Sequence, residues 1–491
     1  MALKDADLLS IQEVRDLVAK AKAAQQVYQA YSQEQVDQVC QAVADAGVRE
    51  SQRLAQMAQE ETGFGKAADK TLKNIFASKI VNDTYKGTKT VGILDEDPTN
   101  KTIDVAVPVG VIAGLIPSTN PTSSVFYKAI IALKAGNAIV FSPHPNASKC
   151  IAAAIQVVRE ALEKVGAPVD LVSGMTILTL EATDELMKHP DTRLILATGG
   201  GAMVKAAYSS GTPALGVGPG NGPAFIEKSA NVNLAVRRIM DSKTFDNGTI
   251  CASEQSIVVE KVKAAEVEHE LTAQGGYFMS AEEKEKVAEF IMRSDNTMNP
   301  AIVGKSPQQI AKLADIQIPD GTRVLIARDS IENIGHADPY SREKLTPLLA
   351  YYVVDSYEEA VETANKLLSN EGAGHTAIIH SEDQQAIKDY GVRVYASRVL
   401  VNTPGALGGI GASTELKPAL TLGCGAVGGS ATSDNVSPLD LIDIKRIAVG
   451  VRELSEIRED AEVANCTATP VAGDEQALIE SIVRQVLKEI Y

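Results

Sequence analysis

The stretch from residue 101 to residue 145 constrains the fold of this chain more than any other part of it. Two apolar, β-branched runs, IDVAVPVGVIAGLIP and NAIVFSPHP, each end at proline, and between them SSVFYKAIIALKAG repeats its apolar residues at helical spacing. Strand, helix and strand in that order make a βαβ unit, which requires parallel strands and places ligands at their carboxyl ends. The texture continues through IAAAIQVVREALEKVG, VDLVSGM, TLEATDELMKH and RLILATGG. A second α/β block is expected from the strands QSIVVE, RVLIA and LLAYYVV, punctuated by the glycine-rich segments PALGVGPGNGPAFI, NEGAGHTAIIH and TPGALGGIGASTE. The first hundred residues read as helical, with amphipathic stretches such as IQEVRDLVAKAKAAQQVYQAY.

At 491 residues the chain is too long for one hydrophobic core, so two or three domains are expected. Its 47 basic and 63 acidic side chains leave a formal charge of −16. That surface repels phosphate backbones, so nucleic acid is not an expected partner, and an anionic cofactor must be held by local backbone donors. Cys40, Cys150, Cys251, Cys424 and Cys466 are scattered and form no CxxC pair, which supports neither a disulfide framework nor a zinc site. His375 and His380 are poorly spaced for a metal pair and have no carboxylate beside them, so no metal is expected. The N-terminus MALKDADLLS has no apolar signal core, and no apolar run is long enough to span a membrane; a reduced, cytoplasmic protein is expected.

The sharpest local signal is FDNGTICASEQ, residues 245–255. Asn247, Gly248 and Thr249 supply a turn, and Ala252, Ser253 and Glu254 read as the start of a helix. Cys251 would then sit at a loop-to-helix junction, where the helix dipole favours the nucleophilic thiolate. ATGGGAMVK, residues 197–205, follows a strand and opens a helix, so backbone N–H groups there can meet a pyrophosphate. Near the C-terminus, EDAEVANCTATPVAGDE lacks periodicity and reads as a linker. Beyond it Leu478, Ile479, Ile482, Val483, Val486, Leu487 and Ile490 line one face of an amphipathic helix. That helix would dock either on its own domain or on a partner's groove.

Eight blocks in collinear order resemble the aldehyde dehydrogenase superfamily, and within it the CoA-acylating branch found in bacterial microcompartments. They are PVGVIAGLIPSTNPTS, NAIVFSPHP, ILATGGGAMVKAAY, GVGPGNGPAFIE, FDNGTICASEQ, EKLTPLLA, GHTAIIH and LTLGCGAVGG. The resemblance implies an α/β fold with a Rossmann-type NAD-binding domain over residues 1–229, including part of an oligomerisation hairpin near 88–107. A catalytic domain over 230–430, a return to the oligomerisation element at 431–458, a linker at 459–475 and an encapsulation helix at 476–491 would follow. No iron-dependent alcohol dehydrogenase block follows, so the fused bifunctional type is not expected.

By the same resemblance Cys251 is the nucleophile, forming a thiohemiacetal and then a thioester, and its backbone N–H helps hold the oxyanion. The second oxyanion donor is Asn120 or, because the motif is shifted by one position, Thr119. Ser142, Pro143 and His144 match the adenosine-side segment, with His144 where lysine is common; NAD is expected and NADP stays open. Thr198, Gly199 and Gly200 match the pyrophosphate turn, Glu343 the carboxylate that holds the nicotinamide ribose, and Gly216 and Val217 belong to the cofactor cleft. His375 is expected to line the active-site or CoA channel, or to be a structural histidine. Hydrolytic members carry a Glu-Leu-Gly-Gly block whose glutamate activates water. Here the block reads Gly216-Val217-Gly218-Pro219. Without that base, water attack forgoes the ~10²–10⁴-fold of general-base help, and coenzyme A takes the acyl group. The implied substrates are a short aldehyde of the acetaldehyde or propionaldehyde class and CoA. The implied assembly is a homodimer or homotetramer recruited to a microcompartment shell protein through the C-terminal helix. A non-acylating or phosphorylating semialdehyde dehydrogenase, and a catalytically idle shell-binding scaffold, are the alternatives.

Overall fold

The computed structural model describes residues 5–294, 297–467 and 474–490. The chain divides into two units, residues 1–92 with 106–444 and residues 93–105 with 445–491.

The larger unit realises the βαβ pattern. Val111–Ile116 pairs in parallel with Ala138–Pro143, and the connecting helix Pro121–Lys134 is buried along its whole length, as its apolar circumference requires. The first sheet runs in the order Val172–Gly174, Ala138–Pro143, Val111–Ile116, Thr192–Thr198, Ala214–Val217, with every pairing parallel. From Val111–Ile116 the chain winds outward to one side and then returns to build the other. Connections therefore diverge after Val111–Ile116 and Thr192–Thr198, and a crevice opens at those carboxyl ends.

The second sheet is also parallel. Its order is Gly276–Phe278, Val324–Arg328, Leu348–Val354, Glu254–Glu260, Gly222–Ile226, Gly374–His380, Ala396–Val401. Gly222–Ile226, which the 1–229 boundary assigns to the NAD-binding domain, belongs to this sheet, so the division between the sheets falls before residue 222. The helical reading of the N-terminus holds to Tyr85, through Ala6–Tyr28, Gln33–Arg49, Ser51–Thr62, Ala67–Ile75, a π-helical turn Phe76–Ile80, and Val81–Tyr85. Asp5 caps the first of these helices, and Ser32 and Gln35 form a reciprocal capping box on the second.

The smaller unit centres on a sheet of Gly92–Asp97, Thr102–Pro108 and Ile442–Ala448, in that order. The run IDVAVPVGVIAGLIP thus supplies two strands to two sheets, broken where Pro108 lacks a donor and Gly110 takes a φ of 121°. Arg446 pairs with Asp104 at 3.0 Å, and Val449 N–H donates to Lys101 O at 3.1 Å. A helix, Leu454–Thr467, runs through residues 459–467, where a linker is expected. The rest of the expected linker, 468–473, lies outside the described residues. The terminal helix spans Asp474–Ile490, and Leu478, Ile479, Ile482, Val483, Val486 and Leu487 are each about half exposed. Among the described residues no helix is long and apolar enough to cross a membrane.

Candidate active site

A cavity of about 230 Å³ occupies the crevice of the first sheet. Its polar wall comes from Ser118, Thr119, Asn120, Thr198, Thr249, Cys251 and Glu343, with His144 at one end. Phe64, Met298, Val303, Leu345, Ile410, Leu420 and Leu422 make the rest apolar. A second cavity, of about 400 Å³, shares Pro117, His144, Thr198, Gly199 and Gly200 with it and continues past Ser142 and Pro143 to Leu178, Leu180 and Met203.

Cys251 reaches the cavity from a tight turn. Asp246, Asn247 and Gly248 all have positive φ, 47°, 51° and 74°, which asparagine, aspartate and glycine tolerate best. Thr249 Oγ1 donates back toward Asp246, and Asn247 Nδ2 donates to Gly304 O at 2.9 Å. Asp246 is fully buried between two lysines, with Oδ2 2.5 Å from Lys73 Nζ and 2.9 Å from Lys70 Nζ. Lys73 Nζ also donates to Asn120 Oδ1 at 2.6 Å, and Lys70 Nζ to Thr119 O at 3.0 Å. Asn120 Nδ2 is left with two long contacts, Thr249 O at 3.3 Å and Thr119 Oγ1 at 3.2 Å.

The expected helix after Cys251 is absent. The strand Glu254–Glu260 starts there instead, because Ser256, Ile257, Val258 and Val259 are paired on both sides in the sheet, which outweighs the helix-start signal of Ala252-Ser253-Glu254. No helix begins at Cys251 to favour its thiolate. Burial pushes the half-buried Cys251 up to about 12, Glu343 and Cys424 push it the same way, and the Arg398 guanidinium opposes them. Arg398 is itself buried, its two terminal nitrogens donating to His375 O at 2.8 Å, Gly423 O at 2.5 Å and Ser433 O at 3.1 Å.

Glu343 is buried and accepts the Gly220 N–H on Oε1 at 2.8 Å; burial, with Glu371 nearby, raises it to about 8. His375 does not line the cavity, which corrects the channel expectation. Its ring lies behind Gly220, with Nδ1 2.8 Å from Thr376 Oγ1 and Nε2 buried without a partner. Burial and Arg398 hold it at about 3, so it is neutral. Gly216 is also outside the cavity. It faces the helix Gly201–Ser209, where a Cβ would lie 2.9 Å from both Tyr208 and Val204, and only Val217 of that pair faces the cleft.

The residues matched to the cofactor side line one cavity. Ser142, Pro143 and His144 end the strand next to Thr198, Gly199 and Gly200, which lead into the helix Gly201–Ser209. A Cβ on Gly200 would meet nothing within 4 Å, so that turn is open to a ligand. Burial lowers the pKa of His144, whose Nδ1 accepts from Asn146 N–H at 3.1 Å. Sequence reading missed Gly220, Arg398, Lys73 and the role of Asp246. Asp246 lay inside the FDNGTICASEQ block, but Lys73 reads as one more surface charge on a helix.

Residues 3–414 match the model of the Aldehyde dehydrogenase family. The bifunctional aldehyde-alcohol dehydrogenase AdhE of Escherichia coli is 43% identical over 444 residues, covering 89% of this chain and 50% of the relative. The chain thus spans about half the length of that relative. A probable aldehyde dehydrogenase from Listeria monocytogenes superposes with a TM-score of 0.91 at 58% identity, covering 93% of this chain and 100% of that one. An acetylating aldehyde dehydrogenase from Geobacillus thermoglucosidasius gives 0.90 at 52% identity, covering 92% and 99%.

Proposed function

This chain belongs to the aldehyde dehydrogenase family, and on that premise we propose that it oxidises a short, uncharged aldehyde with NAD and passes the acyl group to coenzyme A. The observation that carries this reading is the cavity wall. Among the described residues lining it, Glu343 is the one carboxylate, and it is bound to the Gly220 N–H. No carboxylate is supplied by the Gly216–Pro219 block, whose first residue faces away from the cleft.

Cys251 adds to the carbonyl as thiolate, and the oxygen gains negative charge within reach of its own N–H and the Asn120 amide. NAD, when bound, accepts the hydride. Its adenosine portion fits the cavity of Ser142, Pro143 and His144, its pyrophosphate the open turn at Thr198–Gly200, and its nicotinamide ribose the Glu343 carboxylate. The described lining of that cavity contains no lysine or arginine for a 2′-phosphate, which supports NAD over NADP. The thioester left on Cys251 has no base poised to activate water, whereas a thiol acceptor needs less help.

The apolar wall supports the acetaldehyde and propionaldehyde class over carboxylated or sulfonated aldehydes, which need a cation in the pocket. The exposed apolar face of Asp474–Ile490 supports recruitment to a microcompartment shell, with the enzyme as a homodimer or homotetramer. NADH formation from propionaldehyde with and without CoA tests the reaction. CoA-dependent turnover is expected; equal turnover without CoA would favour hydrolysis, and none with any aldehyde would favour a scaffold. Deleting residues 468–491 is expected to keep that turnover and abolish co-sedimentation with shells.

A further inference from the structure

We propose that Lys73, held by Asp246, is the positioning residue that orients the Asn120 amide as an oxyanion donor. The inference rests on the proposed reaction at Cys251 but concerns residues that lie behind the cavity.

Two observations carry it. First, the amide of Asn120 has a determined orientation. Lys73 has only donors, so the oxygen it contacts at 2.6 Å is Oδ1, and Nδ2 is left on the side of Thr249 and the cavity. Its remaining contacts, at 3.2 and 3.3 Å, are long enough for a charged oxygen to displace. Asn120 makes no capping hydrogen bond to the helix Pro121–Lys134 that follows it, so helix capping does not explain how it is held.

Second, the cluster is heavily constrained. Lys70, Lys73 and Asp246 are 3%, 2% and 0% exposed. Asp246 Oδ1 accepts the Lys66 N–H at 2.7 Å, and a Cβ on Gly65 would lie 1.9 Å from that oxygen. Lys73 Nζ reaches Thr249 Oγ1 at 3.0 Å as well, so one ammonium touches the oxyanion candidate and the turn that delivers Cys251.

The test is a double-mutant cycle on the full-length enzyme with propionaldehyde, NAD and CoA. Lys73→Gln is expected to lower kcat by about 10- to 100-fold, below the 10²–10³ of a lost oxyanion donor, with KM for the aldehyde and NAD binding little changed. In an Asn120→Ala background the same substitution is expected to cost less than about 2-fold, since the amide it would orient is gone. Lys73→Arg, which keeps a donor and a charge, is expected to restore part of the rate. An equal loss in both backgrounds would overturn the proposal, as would full activity of Lys73→Gln. If Lys73→Gln does not fold, the cycle is run with Lys73→Arg, and additivity with Asn120→Ala overturns it in the same way. A wild-type enzyme that makes no acyl-CoA would instead overturn the proposed function, so the two failures are distinguishable.

Discussion

Gly220 lies so close to Cys251 that a Cβ on it would sit 2.1 Å from the Cys251 carbonyl oxygen, and 3.2 Å from Cε1 of His375. The missing side chain leaves room for the Cys251 peptide and a buried neutral imidazole, and the Gly220 N–H donates to Glu343. Gly220→Ala must move the Cys251 backbone. A displacement near 1 Å costs on the order of 10²-fold in rate, so kcat/KM is expected to fall at least that far. NAD binding and Tm check that the rest of the cleft survives.

Gly216→Glu puts a carboxylate back at the block position where hydrolytic relatives carry one. Here that position faces Tyr208 and Val204, and the Gly216 carbonyl accepts from Tyr208 Oη at 3.2 Å and Ser430 Oγ at 3.0 Å. The variant is therefore expected to lose roughly 1–3 kcal/mol of stability through overpacking, without gaining CoA-independent turnover. Denaturant titration and a CoA-free NADH assay read the two effects.

The thiol of Cys251 should be sluggish before ligands bind. With burial holding it at about 12 against the pull of Arg398 and a backbone N–H, thiolate is a small fraction at neutral pH. The Cys251-specific alkylation rate, taken as the difference from Cys251→Ala, is expected to climb about tenfold per pH unit from pH 7 to 10 without levelling. Arg398→Met removes the opposing charge, raises the pKa further and slows alkylation at every pH in that range. A plateau near pH 8 would show a thiolate that these groups do not account for.

Much of this site was legible in the sequence, and the misses share a cause. Pro121 and the apolar run to Lys134 announce the buried helix, and ATGGG announces the open turn between strand and helix. Cys251 could be singled out from its turn, but its flank was read as helix because the local preference of Ala-Ser-Glu carries no information about two neighbouring strands. Lys73 and Arg398 were invisible for a related reason. A lysine or arginine in a helix or strand is usually solvated, and only tertiary contacts between residues distant in sequence, such as Lys73 with Asp246, bury it. Gly216, assigned to the cleft by block position, faces Tyr208 and Val204 instead, and His375, expected either in the channel or as a structural histidine, is not among the residues lining the cavity.

Asp246 should be worth more to stability than any surface charge. Burial raises its pKa, but Lys73 and Lys70 outweigh burial and hold it below the ordinary carboxylate value. Its stabilising contribution is thus fully present above that ordinary value and is lost as pH falls through the lower, folded-state one. Asp246→Asn leaves two buried ammonium groups uncompensated and is expected to cost roughly 3–5 kcal/mol at pH 7. In urea titrations the gap between wild type and variant should narrow as pH drops below about 4.

The most direct test is to follow the acyl group on Cys251 itself. Enzyme mixed with NAD and propionaldehyde in the absence of any thiol is expected to show, by intact-protein and peptide mass spectrometry, a propionyl group on Cys251. That group should persist after NADH has formed and leave as propionyl-CoA when CoA is added. Rapid loss as free propionate with no thiol present, or acylation at a residue other than Cys251, would contradict it.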